Sequence, residues 1–189
     1  MTTRSHQVYI LADATVNIEP STEDLAEIAL CAAQTARRFD LEPRVALLSF
    51  STFGSTNHPQ CEKVRKAVEL IRKMDPSLIV DGEVMADVAV SPELIEKVYP
   101  FSSLTGGANV LIFPELSSAN IGYKLLGKLG GCWEMGPILM GMRKPVHVLS
   151  RDTEVEEIVN IAAVAVLDAQ ENDLSPFPAV RNHMELVGD

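Results

Sequence analysis

Five short apolar runs, Val8–Ala12, Arg44–Ser49, Leu78–Val80, Asn109–Phe113 and Val146–Leu149, are separated by stretches long enough to hold a helix. Parallel strands cannot be joined by tight hairpins and need crossovers, usually helical, so this alternation is the mark of repeated βα units. The predicted fold class is α/β, with a parallel or mostly parallel sheet and helices on both faces. An interior of Ala, Val, Ile and Leu suits such layers, and the chain is 47% hydrophobic but only 5% aromatic. At 189 residues it can bury a sizeable core without covalent staples.

The helical segments can be placed by their caps. Ser21 with Asp24 makes a capping-box start for a helix running to Arg38, in which Leu25, Ile28, Ala29 and Ala32 recur at helical spacing. From Cys61 to Met74, Val64, Ala67, Val68 and Ile71 share one face, and charged residues that include Arg65 and Arg72 take the others, which predicts a surface helix lying on a sheet. Ser91–Pro92 is an N-cap and first-turn pair. Ser117 or Ser118 is expected to open a further helix, stopped by Gly130–Gly131 ahead of Trp133 as a packing anchor. The last helix, from Val155, is apolar over so wide an arc that another lobe, another subunit or further sequence is expected to cover it. Pro176 and Pro178 argue against helix beyond it.

Charge and cysteine content remove several function classes. Sixteen basic against 26 acidic side chains give a net charge of −10, which repels a polyanion and makes nucleic acid a poor partner. Cys31, Cys61 and Cys132 are odd in number and irregular in spacing, the pattern of a reducing cytosol more than of a disulfide framework or metal site. His6, His58, His147 and His183 show no paired ligand spacing. With no apolar run of the ~18 residues a span requires, and no signal-like start in MTTRSHQ, a cytoplasmic protein is expected, with no membrane partner.

Three stretches could carry chemistry. Ser49-Phe-Ser-Thr-Phe-Gly-Ser55 follows a strand and precedes a helix, where backbone N–H groups favour an anion, so Ser49, Ser51, Gly54 and Ser55 are candidate ligand contacts; a plain polar turn is the competing reading. Asp81-Gly-Glu83 with Asp87 offers carboxylates for a hard cation but lacks the spacing of a ligand loop, and reads better as an acidic, solvated turn. The third is the junction after Val146–Leu149. Ser150 supplies a hydroxyl and Arg151 a guanidinium fork suited to phosphate, and Glu157 lies near a helix N-terminus that favours its ionised form. Thr153 and Glu156 read as an ordinary capping box beside them.

Over about residues 8–170, the segments ILADATVNIEPSTEDLAEIAL, EPRVALLSFSTFGS, DGEVMADVA, GGANVLIFPELSSANIGYKLLGKLGG and GPILMGMRKPVHVLSRDTEVEEIVNIAAVAVLDAQ resemble, in order, the C-terminal half of the phosphate acetyl/butyryl transferase family. Within it, SFSTFGS and GPILMGMRKPVHVL look most like the phosphotransacetylase-like domain at the end of hybrid NADP-dependent malic enzymes. The resemblance implies a two-lobe architecture like that of isocitrate and isopropylmalate dehydrogenases, and a homodimer. Residues 1–145 would form the second lobe, 146–170 a strand and helix returning to the first, and 171–189 a tail.

Active family members move an acetyl group between coenzyme A and phosphate, with acetyl phosphate as the other acyl species and neither a metal nor a covalent intermediate. The family's serine–arginine pair falls on Ser150 and Arg151, and its catalytic aspartate on Glu157. Two departures bear on activity: Glu replaces that Asp, and Asp152 stands where the family usually has Gly. The family's N-terminal half, with further substrate-binding arginines, lies outside these residues. In the hybrid enzymes, NADP and a divalent metal would serve the malate-oxidising part alone, and acetyl-CoA would be a regulatory ligand here.

Overall fold

The structure is a computed structural model that describes residues 1–3, 6–142, 144–149, 151 and 153–174. It divides into a unit from Met1 to Trp133 and a second unit from Glu134 onward. In the first, β1 (Ile10–Ala12), β2 (Arg44–Leu48), β3 (Ile79–Val84) and β4 (Val110–Ile112) form one sheet in the order β1-β4-β2-β3. Every pairing is parallel. All four strands therefore end on the same edge, where the loops after them gather.

The first two connections are the predicted helices. In α1 (Thr22–Arg38), Ser21 accepts from the Asp24 amide and Asp24 accepts from the Ser21 amide, completing the capping box. In α2 (Pro59–Met74), His58 is the N-cap and Cys61, Val64, Ala67, Val68 and Ile71 are buried. These helices lie side by side, α1 along β1 and β4, α2 along β2 and β3. Ala26, Ala29, Ala32, Ala33 and Ala36 are all fully buried, and small side chains on this face let helix and sheet approach closely. The opposite face is closed by α3 (Ala86–Ala89), α4 (Pro92–Val98) and the loop after it, which enclose Ala46, Leu48, Val84, Val88, Ile95, Leu104 and Leu111 in one cluster. Strand residues alternate between the two faces as a pleat requires. The helices-on-both-faces architecture expected from the sequence is present in this unit.

Two local expectations change. The strand foreseen at Leu78–Val80 continues through Asp81 and Glu83 to Val84, so these acids belong to a buried strand and not to a solvated turn. They can be buried because each is met by an arginine and several donors. Helix α5 (Leu116–Gly130) is opened by Glu115 and not by a serine: its carboxylate accepts from the amides of Ser117 and Ser118. The stop is as predicted, with Gly131 in the left-handed region at φ 62°. Trp133, foreseen as a packing anchor, pairs through its backbone with Thr2 while about half of its side chain stays exposed.

The second unit contains α6 (Val155–Leu174). Its apolar arc is as wide as expected: Ile161 and Val164 are buried, whereas Val155, Ile158, Val159, Val166 and Leu167 are exposed. Val146–Leu149, foreseen as a strand, makes no strand pairing, and Val146, Val148 and Leu149 are each about half exposed. A strand exists only through the ladder beside it, and none lies alongside this run among the described residues. Residues 175–189 lie outside the described part of the chain.

Candidate functional site

The loop after β2 is folded around a carboxylate that the protein itself supplies. Glu83, near the end of β3, is fully buried, and its Oε1 accepts from Ser51 Oγ at 2.7 Å, from the Gly54 amide at 2.9 Å and from Arg65 Nη1 at 2.9 Å. Its backbone carbonyl accepts from the Phe53 amide at 2.8 Å. Oε2 is buried and makes no hydrogen bond among the described residues. Burial by itself would raise the pKa of this group; the Ser51 hydroxyl, the Gly54 amide and the Arg65 guanidinium outweigh it and hold the carboxyl below the usual range.

The hydroxyls of the loop form a directed chain. Ser51 has one hydrogen and gives it to Glu83, so in the 3.0 Å contact between Ser51 Oγ and Ser55 Oγ the donor must be Ser55. Ser51 Oγ also accepts from the Thr56 amide, Ser55 Oγ accepts from the Thr52 amide, and Thr52 Oγ1 accepts from the Met85 amide. The turn these bonds enforce passes through two left-handed residues, Phe53 at φ 46° and Gly54 at φ 86°. For glycine this costs little, but for phenylalanine it costs roughly 1–2 kcal/mol. The ring of Phe53 is held edge-on by Tyr99 and Phe101, at centroid distances of 5.3 and 5.1 Å.

Of the four sequence-predicted contacts on this loop, Ser51 is completely buried beneath it with its hydrogen committed to Glu83. Ser49 is half-buried, with Oγ 3.5 Å from Cys61 Sγ, and Gly54 and Ser55 are exposed. The neighbouring loops on this edge are built alike. Asp13, after β1, accepts from the amides of Thr15, Val16 and Asn17 and from the Asn17 side chain; burial pushes its pKa up, and these bonds bring it below the ordinary value. Lys63 Nζ on α2 ties the loops after β1 and β4 together, donating to the carbonyls of Pro20 at 2.9 Å and Pro114 at 3.0 Å.

In the second unit, Arg151 is exposed and Glu157 is half-buried in the first turn of α6. Ser150 and Asp152 lie outside the described residues. His147 Nε2 stands 3.4 Å from Asp168 Oδ2. No group of three or more metal-ligating side chains occurs among the described residues, and no helix there is long and apolar enough to cross a membrane.

Glu83 enters the sequence reading only as a weak candidate for a hard cation, and Arg65 only as one of the charged residues on a surface helix. Arg65 was placed on the solvent side of its helix, and DGE had the look of a turn. The available signal is Val84: an apolar residue just past two acids, in phase with Val80 at a period of two, means that the strand carries on through them. Asp81 is fixed in a similar way, by Arg72, the Ser102 hydroxyl and the Ser103 amide.

With this geometry established, comparison with known proteins gives concordant results. The family model described as "Phosphate acetyl/butaryl transferase" matches residues 1–166. The phosphate acetyltransferase of Bacillus subtilis is 45% identical over 166 residues, 88% of this chain and 51% of that protein. The NADP-dependent malic enzyme of Escherichia coli is 48% identical over 166 residues, 87% of this chain and 22% of that protein. A phosphotransacetylase crystal structure from Streptococcus pyogenes superposes with a TM-score of 0.84 at 42% identity, covering 93% of this chain and 53% of that one. The chain thus spans about half the length of the two transferases and about a fifth of the malic enzyme. On the family match and these identities, the chain belongs to the phosphate acetyl/butyryl transferase family, as a phosphate acetyltransferase-like α/β domain.

Proposed function

We propose that this chain is the phosphate acetyltransferase-like domain of a hybrid NADP-dependent malic enzyme, that it binds acetyl-CoA as a regulatory ligand, and that it mediates self-association. The observation that carries the choice is the acid at position 157. If Arg151 grips phosphate, the group that takes the proton from the coenzyme A thiol must sit within hydrogen-bond reach of the sulfur. Glutamate pushes that carboxylate out by one methylene relative to the family's aspartate, and a displacement of ~1 Å can cost on the order of a hundredfold. Asp152, next to Arg151 in sequence, brings a negative charge where the family usually has glycine. The displaced carboxylate erodes proton transfer while leaving the anion to other groups.

Binding needs only anion-holding groups; the candidates are Ser150 and Arg151 in the second unit and, taken separately, Ser49, Gly54 and Ser55 in the first. NADP and a divalent metal belong, in this reading, to the malate-oxidising part of the parent protein and ask nothing of these residues. Similarity to a malic enzyme over the same span supports the hybrid assignment.

The second reading, an active transferase, is favoured by the equally broad similarity to free-standing phosphate acetyltransferases. There the thiol proton would pass to Glu157, the thiolate would attack the carbonyl carbon of acetyl phosphate, and the C–O bond would break to release phosphate. Assaying the full-length parent both for acetyl phosphate formation from acetyl-CoA and phosphate, and for malate oxidation with and without acetyl-CoA, separates the two. The regulatory reading expects malate oxidation to respond to acetyl-CoA with little acetyl phosphate made. Robust acetyl phosphate formation that disappears in Glu157→Ala would refute it.

A further inference from the structure

We infer that Glu83 is a positioning residue for ligand recognition: from beneath the 49–55 loop it fixes the turn at residues 51–54, and so presents Ser49, Gly54 and Ser55 to an acyl-CoA at the sheet's C-terminal edge. This inference rests on the acetyl-CoA-binding reading above and assigns that site a residue it did not contain.

Four observations carry it. First, one carboxylate oxygen gathers three donors from two elements: the Ser51 hydroxyl and the Gly54 amide from the loop, and the Arg65 guanidinium from α2. Second, the main-chain carbonyl of the same residue accepts from the Phe53 amide, so Glu83 holds the amides of both left-handed residues, Phe53 and Gly54. Third, the residues held this way differ in exposure. Ser51 is wholly buried, whereas Gly54, whose amide also reaches Glu83, and Ser55, which donates to Ser51, are exposed. Fourth, the means used are costly for mere chain reversal. A buried ion pair adds little net stability compared with apolar packing of the same volume, and its better-attested use is to select one conformation. A bulky residue held at positive φ by surrounding bonds, next to a site, has the same meaning.

The loop lies where an α/β sheet receives ligands, outside the carboxyl ends of its strands. The proton chain Ser55 to Ser51 to Glu83 also sets the orientation of the exposed Ser55 hydroxyl: its hydrogen points inward, leaving the oxygen's remaining lone pair for a donor on the ligand, such as an amide N–H. Glu83 touches no reacting atom in this scheme. It acts through the loop.

Three variants of the full-length parent separate reach from charge. Glu83→Gln keeps an oxygen in the place of Oε1 but loses the charge; Glu83→Asp keeps the charge but falls one methylene short of the Gly54 amide; Glu83→Ala loses both. Acetyl-CoA affinity is read by calorimetry, loop fixation by hydrogen exchange at the Gly54 amide, and global stability by thermal melting. The expected result is wild-type binding, Glu83→Gln within about threefold of it, and Glu83→Asp weakened about tenfold or more with faster exchange at Gly54. If Glu83→Ala does not fold, the Asp and Gln pair still decides. Lower melting temperatures or faster Gly54 exchange with unchanged affinity would make Glu83 purely structural and overturn the inference. So would the reverse order, Gln weaker than Asp, because charge and not reach would then matter. Failure of the wild-type protein to bind acetyl-CoA would instead bring down the reading on which the inference stands.

Discussion

Arg65 Nη1 lies 2.9 Å from Glu83 Oε1, and the carboxylate at this contact is fully buried while the guanidinium is about one-third exposed. The pair is asymmetric: the arginine can return to water, and the glutamate cannot. Removing Arg65 therefore strands a charge, and Arg65→Met is expected to destabilise the fold by about 2 kcal/mol, the scale of a lost charge-assisted hydrogen bond. Urea denaturation at neutral pH measures this. As pH falls below the folded pKa of Glu83 the loss should shrink, since a protonated Glu83 no longer needs a cation.

The same group predicts a pH dependence. Glu83 is held below its unfolded value, which is about 4.3. Between the two values the unfolded chain binds the extra proton, so stability rises with pH through that window. The contribution is complete above about pH 5 and is lost as pH falls through the folded pKa. Asp13 and Glu115 are depressed in the same direction, with burial opposed by donors from Thr15, Val16 and Asn17 in one case and from Ser117 and Ser118 in the other. Acid unfolding of Glu83→Gln followed by circular dichroism should show a shallower loss of stability below pH 5 than the wild type; parallel curves would contradict the assignment.

Gly82 separates the two buried acids of β3. It stands at φ +149°, and a Cβ there would come within 2.6 Å of the Leu47 carbonyl oxygen on β2. That neighbour is backbone and cannot turn aside. Gly82→Ala is expected to cost about 1–3 kcal/mol, as over-packed sites do, and to disturb the pairing of β2 with β3 where their register already shifts between Leu47 and Leu48. A denaturation midpoint equal to wild type would show that the strands part without cost.

Glu115 caps α5 through two amides, and its loss in Glu115→Ala should cost about 1 kcal/mol. Glu115→Asp and Glu115→Ser test whether reach or charge matters at this cap. Thermal melting ranks them, and a variant ranking in which alanine equals glutamate would remove the capping role.

Much of the fold could be read from the chain because its elements rest on local signals. Ser21 with Asp24, Ser91 with Pro92 and Gly130–Gly131 are each decided within a few residues, and each behaves as expected. What escaped depends on partners distant in sequence. Asp81 and Glu83 looked solvated because the arginines that make burial tolerable are 9 and 18 positions away. Val146–Leu149 has strand-like residues, but a strand is made by its neighbour and no local pattern supplies one. The candidate site divides the same way. Clustering of Ser49, Ser51, Gly54 and Ser55 in one loop follows from their adjacency, whereas the inward commitment of Ser51 required knowing that Glu83 lies beneath it.

In the proposed reading, Ser150 and Arg151 are the residues that hold acetyl-CoA. Calorimetric titration of acetyl-CoA into the full-length parent, side by side with its Ser150→Ala/Arg151→Ala variant, tests it most directly. Saturable binding to the wild type is expected, with affinity lower by about tenfold or more in the variant, the loss of one charge-assisted contact. Equal affinity in the two proteins, or no binding to the wild type, would contradict it.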